Sequence, residues 1–415
     1  MESSLGWIDL SPAALRRLRQ ELDPETEGVV DEMGVGAIHT GYSDHFFPGT
    51  SVLHTRPRYV FFTCWNYLTI ETGDGDAVQA KETAELWVKN QLLKSGQKRV
   101  IGKLVEHPAQ PVDFIYWTAL RKWGFYQGPN RSTLLSRWNE FSISRVRSQT
   151  DNDEQVIDDP QASFLVPKLP PYWLRPKPRE AVTFELTWEE AEFLQERLES
   201  LAACLLSSAA SIARKRLSTG ETPWEDAVIN GAAREVGESD LLQRAQLASS
   251  FALLIRSIYA ALVEQRRNDT AAPSLLARVS DKHHYRRILR ALFGRDERVA
   301  ADVRKLDLAL LKQDLPHLSE TFLTLLRRVQ ERVEKVTRLV DFDKHLLAED
   351  IMDWFSSEEA RRKDRRARLP DTAFGLERRE TFDETTVRVM PIDYRWRAVK
   401  TLLRDLHYGL LRRAK

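Results

Sequence analysis

The chain has only two cysteines in 415 residues, Cys64 and Cys204, and they form neither a CxxC pair nor a zinc-finger spacing. Two inert, buried thiols of a reducing compartment are the expectation, with one disulfide between them as the alternative. Net charge is also missing. Lys plus Arg (62) nearly cancel Asp plus Glu (61), leaving a formal charge of +1. A polyanionic partner is therefore not implied by the whole chain, and any basic face must come from local clustering. No apolar run approaches the roughly 20 residues that span a bilayer. The start, MESSLGWIDLS, has neither a basic opening nor an apolar core, so it is not a secretory signal. A cytoplasmic protein without a membrane partner is expected. Catalytic signatures are absent as well: no G-x-S-x-G elbow, no HExxH, no His-x-Lys-x4-Asp. The glycines of GVGAIHTG lack both the Rossmann spacing and the P-loop lysine, so tight turns explain them and no nucleotide cofactor is expected.

What is present is an ordinary globular balance, 42% apolar and 30% charged, in a chain long enough for two or three domains. The periodicities predict a mainly α fold. Residues 1–150 form an N-terminal signature domain, 151–180 an acidic and proline-rich linker, and 181–415 a C-terminal helical bundle or irregular helical stack. Ser11-Pro12 opens a helix over AALRRLRQEL, and a short amphipathic helix fits Ala37 to Phe47, ended by the Pro48-Gly49 turn. Arg58 to Glu71 is so apolar that a buried helix and a buried strand both fit, and helix is preferred. A further helix covers Ala80 to Leu93. Val112 to Phe141 reads as helix, glycine turn, helix, with Phe114, Trp117, Leu120 and Trp123 on one face. This is a helix-turn-helix-like unit or a plain helical hairpin.

The prolines of LVPKLPPYWLRPKPRE make either a linker or a strap anchored by Phe164, Tyr172 and Trp173. Thr187 and Glu190 then form a capping box for a helix running to Leu217. Helices follow over Asp240–Asn268, 281–293, 296–313, 316–339, 343–356, 357–367 and 394–413.

Three histidines fall within sixteen residues, His39, His45 and His54, with Asp44 and Cys64 nearby. None are paired at the i, i+4 spacing that joins two imidazoles on one helix face, so hydrogen-bonded histidines are preferred to a metal site. Asp76, Glu85 and Lys89 mimic a nuclease pattern that chance supplies in so charged a chain. Arg56 and Arg58 flank Pro57, where they either bind an anion or neutralise a carboxylate such as Asp31 or Asp44. Asp44, His45, Arg56 and Arg58 are the candidate pocket residues. The strongest charge cluster is Arg361, Arg362, Lys363, Arg365, Arg366 and Arg368, preceded by Glu358 and Glu359. Six cations over two turns cannot all face one way. Part of the set is solvated or paired inward, and the alternative is contact with phosphate backbone or an acidic partner, favoured more if 282–290 and the C-terminal cations share their face.

The blocks LGWIDL (5–10), DEMGVG (31–36), FPGTS (47–51) and TRPRY (55–59), with KDRRARL (363–369), DYRW (393–396) and DLHYGL (405–410), resemble an uncharacterised bacterial family known only as a domain of unknown function. His39 and the longer stretch between Leu369 and Asp393 depart from its pattern. The resemblance transfers no catalytic residue. It implies a setting in anti-phage defence islands beside helicases and nucleases, hence a non-enzymatic component of a multi-protein defence system acting through protein or nucleic-acid contacts. A cryptic metal-dependent nuclease, with Asp31, Asp44, His45 and Arg58 converging on one pocket, is the alternative. A purely structural scaffold is the third reading.

Overall fold

The computed structural model describes residues 33–412, less 69, 71–76, 105–107, 109, 137, 139–168, 170–172, 174–181, 278, 280, 295–296, 384–385 and 387–388. The expected helix after Ser11, Asp31, Phe164, Tyr172, most of the 151–180 segment and residues beyond Arg412 lie outside this range. Among the described residues the structure is helical and contains no strand. The mainly α expectation holds.

Helices α1 (Val35–Phe46), α2 (Tyr59–Leu68) and α3 (Ala77–Lys94) follow one another in the N-terminal part. Every residue of α2 from Tyr59 to Tyr67 is buried, which is why its sequence shows no amphipathic period. Pro48 and Gly49 turn the chain after α1. Gly49 has φ +82, and a Cβ there would overlap the indole of Trp123. Trp123 Nε1 donates to Pro48 O at 2.9 Å, fixing the turn against the next hairpin.

That hairpin is α4 (Val112–Lys122) and α5 (Arg131–Ser136). Its buried face carries Asp113, Tyr116, Leu120 and Trp123, while Phe114 is 53% exposed. The expected face through Phe114 and Trp117 is thus rotated by about one residue. The cause is Asp113, which is drawn inward by cations on neighbouring helices.

Thr187 caps α6 (Trp188–Glu199) through a full capping box. Its Oγ1 accepts from Glu190 N at 3.2 Å, and Glu190 Oε2 accepts from Thr187 N at 2.9 Å. The expected continuation to Leu217 is broken. A second helix, α7 (Leu205–Ala213), starts afresh because Ser207 Oγ accepts from Cys204 N at 3.1 Å. Serine and its neighbours compete with the helical ladder in this way. After α8 (Ala227–Glu235) comes α9 (Ser239–Thr270), 32 residues long. It is long and apolar enough to cross a membrane, yet 72% of its most apolar window is buried in this fold. It is the central helix.

After the short α10 (Pro273–Leu276), helices α11 (His284–Gly294), α12 (Glu297–Lys305) and α13 (Leu308–Asp314) pack against α9, and α14 (Glu320–Lys335) packs on α12, α13, α15 (Phe342–Leu346) and α16 (Glu349–Lys363). One helix was expected over 296–313. It divides where the Asp307 carboxylate caps α13 by accepting from Ala309 N and Leu310 N. Conversely, no break occurs at 356–357, and α16 runs on until Asp364 takes φ +47. Finally α17 (Ala373–Glu380) and α18 (Trp396–Leu411) close the chain, and α18 buries Val399, Leu402, Leu403 and Leu406 against α6 and α7.

Candidate functional site

The signature helix α1 is held by residues far along the chain. Tyr42 donates to Asp314 at 2.8 Å, and the same carboxylate takes a bidentate contact from Arg244. His45 Nε2 lies 2.7 Å from Glu238, whose hydrogen bond raises the imidazole pKa. Asp44 accepts from Arg395 at 2.7 Å. His39 stacks on Tyr394 at 6.2 Å, and burial together with Arg395 lowers its pKa. At the helix start Gly34 has φ +91, and a Cβ there would overlap the guanidinium of Arg362. The histidines are therefore hydrogen-bonded or ring-stacked residues. His54 is another, stacked face to face on Tyr116 at 4.2 Å and pushed down to about 4 by burial.

Arg56 and Arg58 neutralise carboxylates, but neither of those expected. Arg56 makes a bidentate pair with Asp405 at 2.6 and 3.0 Å. Burial raises the Asp405 pKa despite this partner. Arg58 grips the fully buried Glu190 at 3.1 and 3.0 Å and donates to Thr183 O at 2.9 Å. Glu190 also accepts from Trp173 Nε1 at 3.0 Å, so Trp173 of the proline-rich segment anchors beside the capping box. Asp44, His45 and Arg58 thus answer to three different partners. A cleft of about 440 Å³ opens beside Arg56, lined by Asp405, Tyr408, Arg412 and Glu185. Arg412 is held there by Leu186 O at 2.8 Å and Glu185 at 2.6 Å.

Two buried carboxylates with shifted pKa values, Asp113 and Glu85, are not marked by any sequence motif. Asp113 is fully buried and accepts from Lys81 at 3.1 Å, Tyr67 at 2.7 Å and Arg131 at 2.5 Å. Burial alone would raise its pKa, but Lys81 and Arg131 together hold it below the ordinary value. Next to it, Glu85 accepts from Asp113 N at 3.2 Å and lies 3.6 Å from Lys81. Burial, aided by the Asp113 charge, pushes Glu85 up to about 7. The nuclease-like pattern Asp76, Glu85 and Lys89 contains Glu85 but neither Asp113 nor Lys81, and Asp76 lies outside the described residues. The usable signal was the i, i+4 pair Lys81 and Glu85 on a helix with many other charges.

The basic run divides by orientation. Arg361 and Arg362 both pair with Glu358, at 2.7 and 2.6 Å, and Arg362 also stacks on Phe322. Lys363 is buried, 3.1 Å from Glu359 and 3.3 Å from Tyr259 Oη. Glu359 completes its shell with Tyr259 Oη at 2.5 Å and the N–H groups of Arg368 and Leu369. Arg365 is exposed and lies over Phe374, while Arg366 and Arg368 are half-buried. The segment at 282–290 approaches the same place. Phe382 is flanked by Tyr285 at 5.3 Å and by the Arg368 guanidinium at 5.7 Å. The two basic segments therefore meet at the C-terminal end of α9.

Among the described residues no group of three or more metal-ligand side chains is close enough to hold an ion. Both thiols are buried and unbridged, and burial raises the Cys64 pKa. No curated protein and no solved structure matches the chain. A family model does match, over residues 2–277, which is more than half of the sequence. The chain belongs to the family described as "Family of unknown function (DUF6361)".

Proposed function

We propose that this chain is a non-enzymatic component of a multi-protein bacterial anti-phage defence system, cytoplasmic and acting through contacts with other macromolecules. The observation that carries this reading is the use made of Asp44, His45, Arg56 and Arg58. Each is matched to its own partner on a distant element, Arg395, Glu238, Asp405 and Glu190, an arrangement suited to holding a shape that others bind. The signature blocks 393–396 and 405–410 lie beyond the family match yet supply two of those contacts, through Arg395 and Asp405. Their resemblance to a family set among helicases and nucleases supports such partners. The test is co-purification of the tagged chain with the products of neighbouring genes, alongside phage plating on strains with and without it. Recovery of a helicase- or nuclease-type partner, and loss of protection on deletion, are expected. Neither outcome appearing would sink the proposal.

An enzymatic reading draws support from one observation only. Glu85 titrates near neutrality beside Lys81 and the buried Asp113, as a general base or acid requires. It predicts cleavage or turnover by the purified chain that Glu85→Gln abolishes.

A further inference from the structure

We infer that the joint between the two basic segments is a binding surface for single-stranded nucleic acid. The inference rests on the reading of this chain as a contact component and names one class of partner.

The surface is assembled at the C-terminal end of α9. Arg267, which is buried there, donates to Phe382 O at 2.6 Å, and Asn268 donates to Lys282 O at 2.6 Å. Tyr285 donates to Asp383 O at 2.9 Å. These bonds clamp the start of α11 to the segment after α17. On that scaffold Phe374 is 47% exposed. The Arg365 guanidinium lies 5.6 Å from its ring centre. Arg378 follows Phe374 at i+4 on α17, so it shares that face. Lys282 is exposed at the far side of the Phe382 joint. The carboxylates of these stretches are partly committed elsewhere: Asp281 to Arg287 and Asp371 to Arg379. Asp364, Glu377, Glu380 and Asp383 remain nearby and exposed, and they set a limit on how strongly the surface attracts phosphate.

An exposed aromatic ring with one guanidinium over it, and a second, half-buried arginine one helical turn further on, fits one chemistry best. Cations follow a phosphodiester backbone while a splayed base stacks on the ring, an arrangement that is blind to sequence. A duplex keeps its bases stacked internally and offers Phe374 nothing. An acidic peptide satisfies the cations but supplies no regular series of planar groups. Arg361, Arg362 and Lys363 are not part of the surface, because Glu358 and Glu359 hold them.

The experiment is fluorescence anisotropy of a labelled, mixed-sequence single strand of about 16 nucleotides with the purified full chain. Three phosphate contacts, at about 0.7 counterions each, predict that affinity falls about 20-fold between about 50 and 200 mM salt. In Arg365→Gln/Arg378→Gln the same change should cost only about threefold. Phe374→Ser should weaken binding about tenfold without altering the salt slope. Lys98→Gln/Lys103→Gln removes equal charge from the exposed turns between α3 and α4 and should change nothing. Circular dichroism checks each fold, and if the double variant does not fold, Phe374→Ser and the wild-type slope still decide. The inference is overturned by no binding at low salt, by binding that ignores Phe374 and both arginines, or by equal competition from duplex or poly-glutamate. Because the chain is used alone, this failure is separable from a failed co-purification, and partner recovery by the Arg365→Gln/Arg378→Gln chain would show that reading standing independently.

Discussion

Arg395 reaches Asp44 across 351 residues of sequence, closing to 2.7 Å and donating from the same nitrogen to Thr50 O at 2.9 Å. It does so from a left-handed backbone, φ +64, immediately after Tyr394 at φ +48. Two consecutive non-glycine residues in that region are costly, at about 1–2 kcal/mol each. The conformation persists because Tyr394 is wholly buried and donates to Ala245 O at 2.7 Å. The pair joins the signature helix to the start of the last helix.

Replacing Arg395 separates these two terms. Arg395→Ala loses the contacts and keeps the backbone strain, whereas Arg395→Gly loses the contacts but relieves the strain. Urea unfolding should show the glycine variant more stable than the alanine variant by about 1 kcal/mol. Equal stabilities would mean that the left-handed turn carries no cost.

Glu85 gives a pH signature of defined sign. Its folded pKa, about 7, stands above its ordinary value because burial disfavours the charged form. Its contribution is therefore fully present below the unfolded value and is lost as pH rises through about 7. Glu85→Gln should match the parent at pH about 5 and exceed it in stability above pH about 8. Thermal melts at the two pH values measure this, and a variant less stable at the higher pH would contradict the assignment.

The His45 imidazole runs in the parallel sense for a base. Its hydrogen bond to Glu238 raises the folded pKa, so the added stability is present at low pH and disappears as pH rises through that value. His45→Gln should lose more stability, relative to the parent, at pH about 5.5 than at about 8.5. NMR titration of the parent should place this imidazole above an exposed histidine.

Arg58 and Arg56 should differ in severity. Glu190 is fully buried, and Arg58→Gln removes its one cationic partner among the described residues, so a loss of about 3–5 kcal/mol is expected. Asp405 is already raised toward its neutral form by burial and is less enclosed, so Arg56→Gln should cost less. Denaturant midpoints rank the two. A ranking in the other order would shift the structural anchor from the capping box to the cleft.

Much of the local structure was legible from residue types alone. Thr187 with Glu190 spelled a capping box and Pro48-Gly49 a turn, because each follows from a side chain's own hydrogen bonds or size. The apolar run 58–71 spelled burial and left helix, the preferred reading, to be separated from strand by the fold. The failures share a cause. Asp113 rotates the buried face of α4 through partners at positions 67, 81 and 131, and no window around it contains them. The helix breaks at 200–204 and 306–307 came from serine and aspartate capping that periodicity does not register.

By itself, then, the sequence determined the helical class, the family and which residues carry charge, since composition and short-range spacing suffice for these. Only the tertiary structure decided which charges are used up inside. Pairing such as Arg56 with Asp405 or Arg58 with Glu190 depends on helix packing between segments 132 to 349 residues apart. The same packing turned Lys363 inward and left Arg365 beside Phe374 at the surface, because two residues along a helix end is enough to exchange core for solvent.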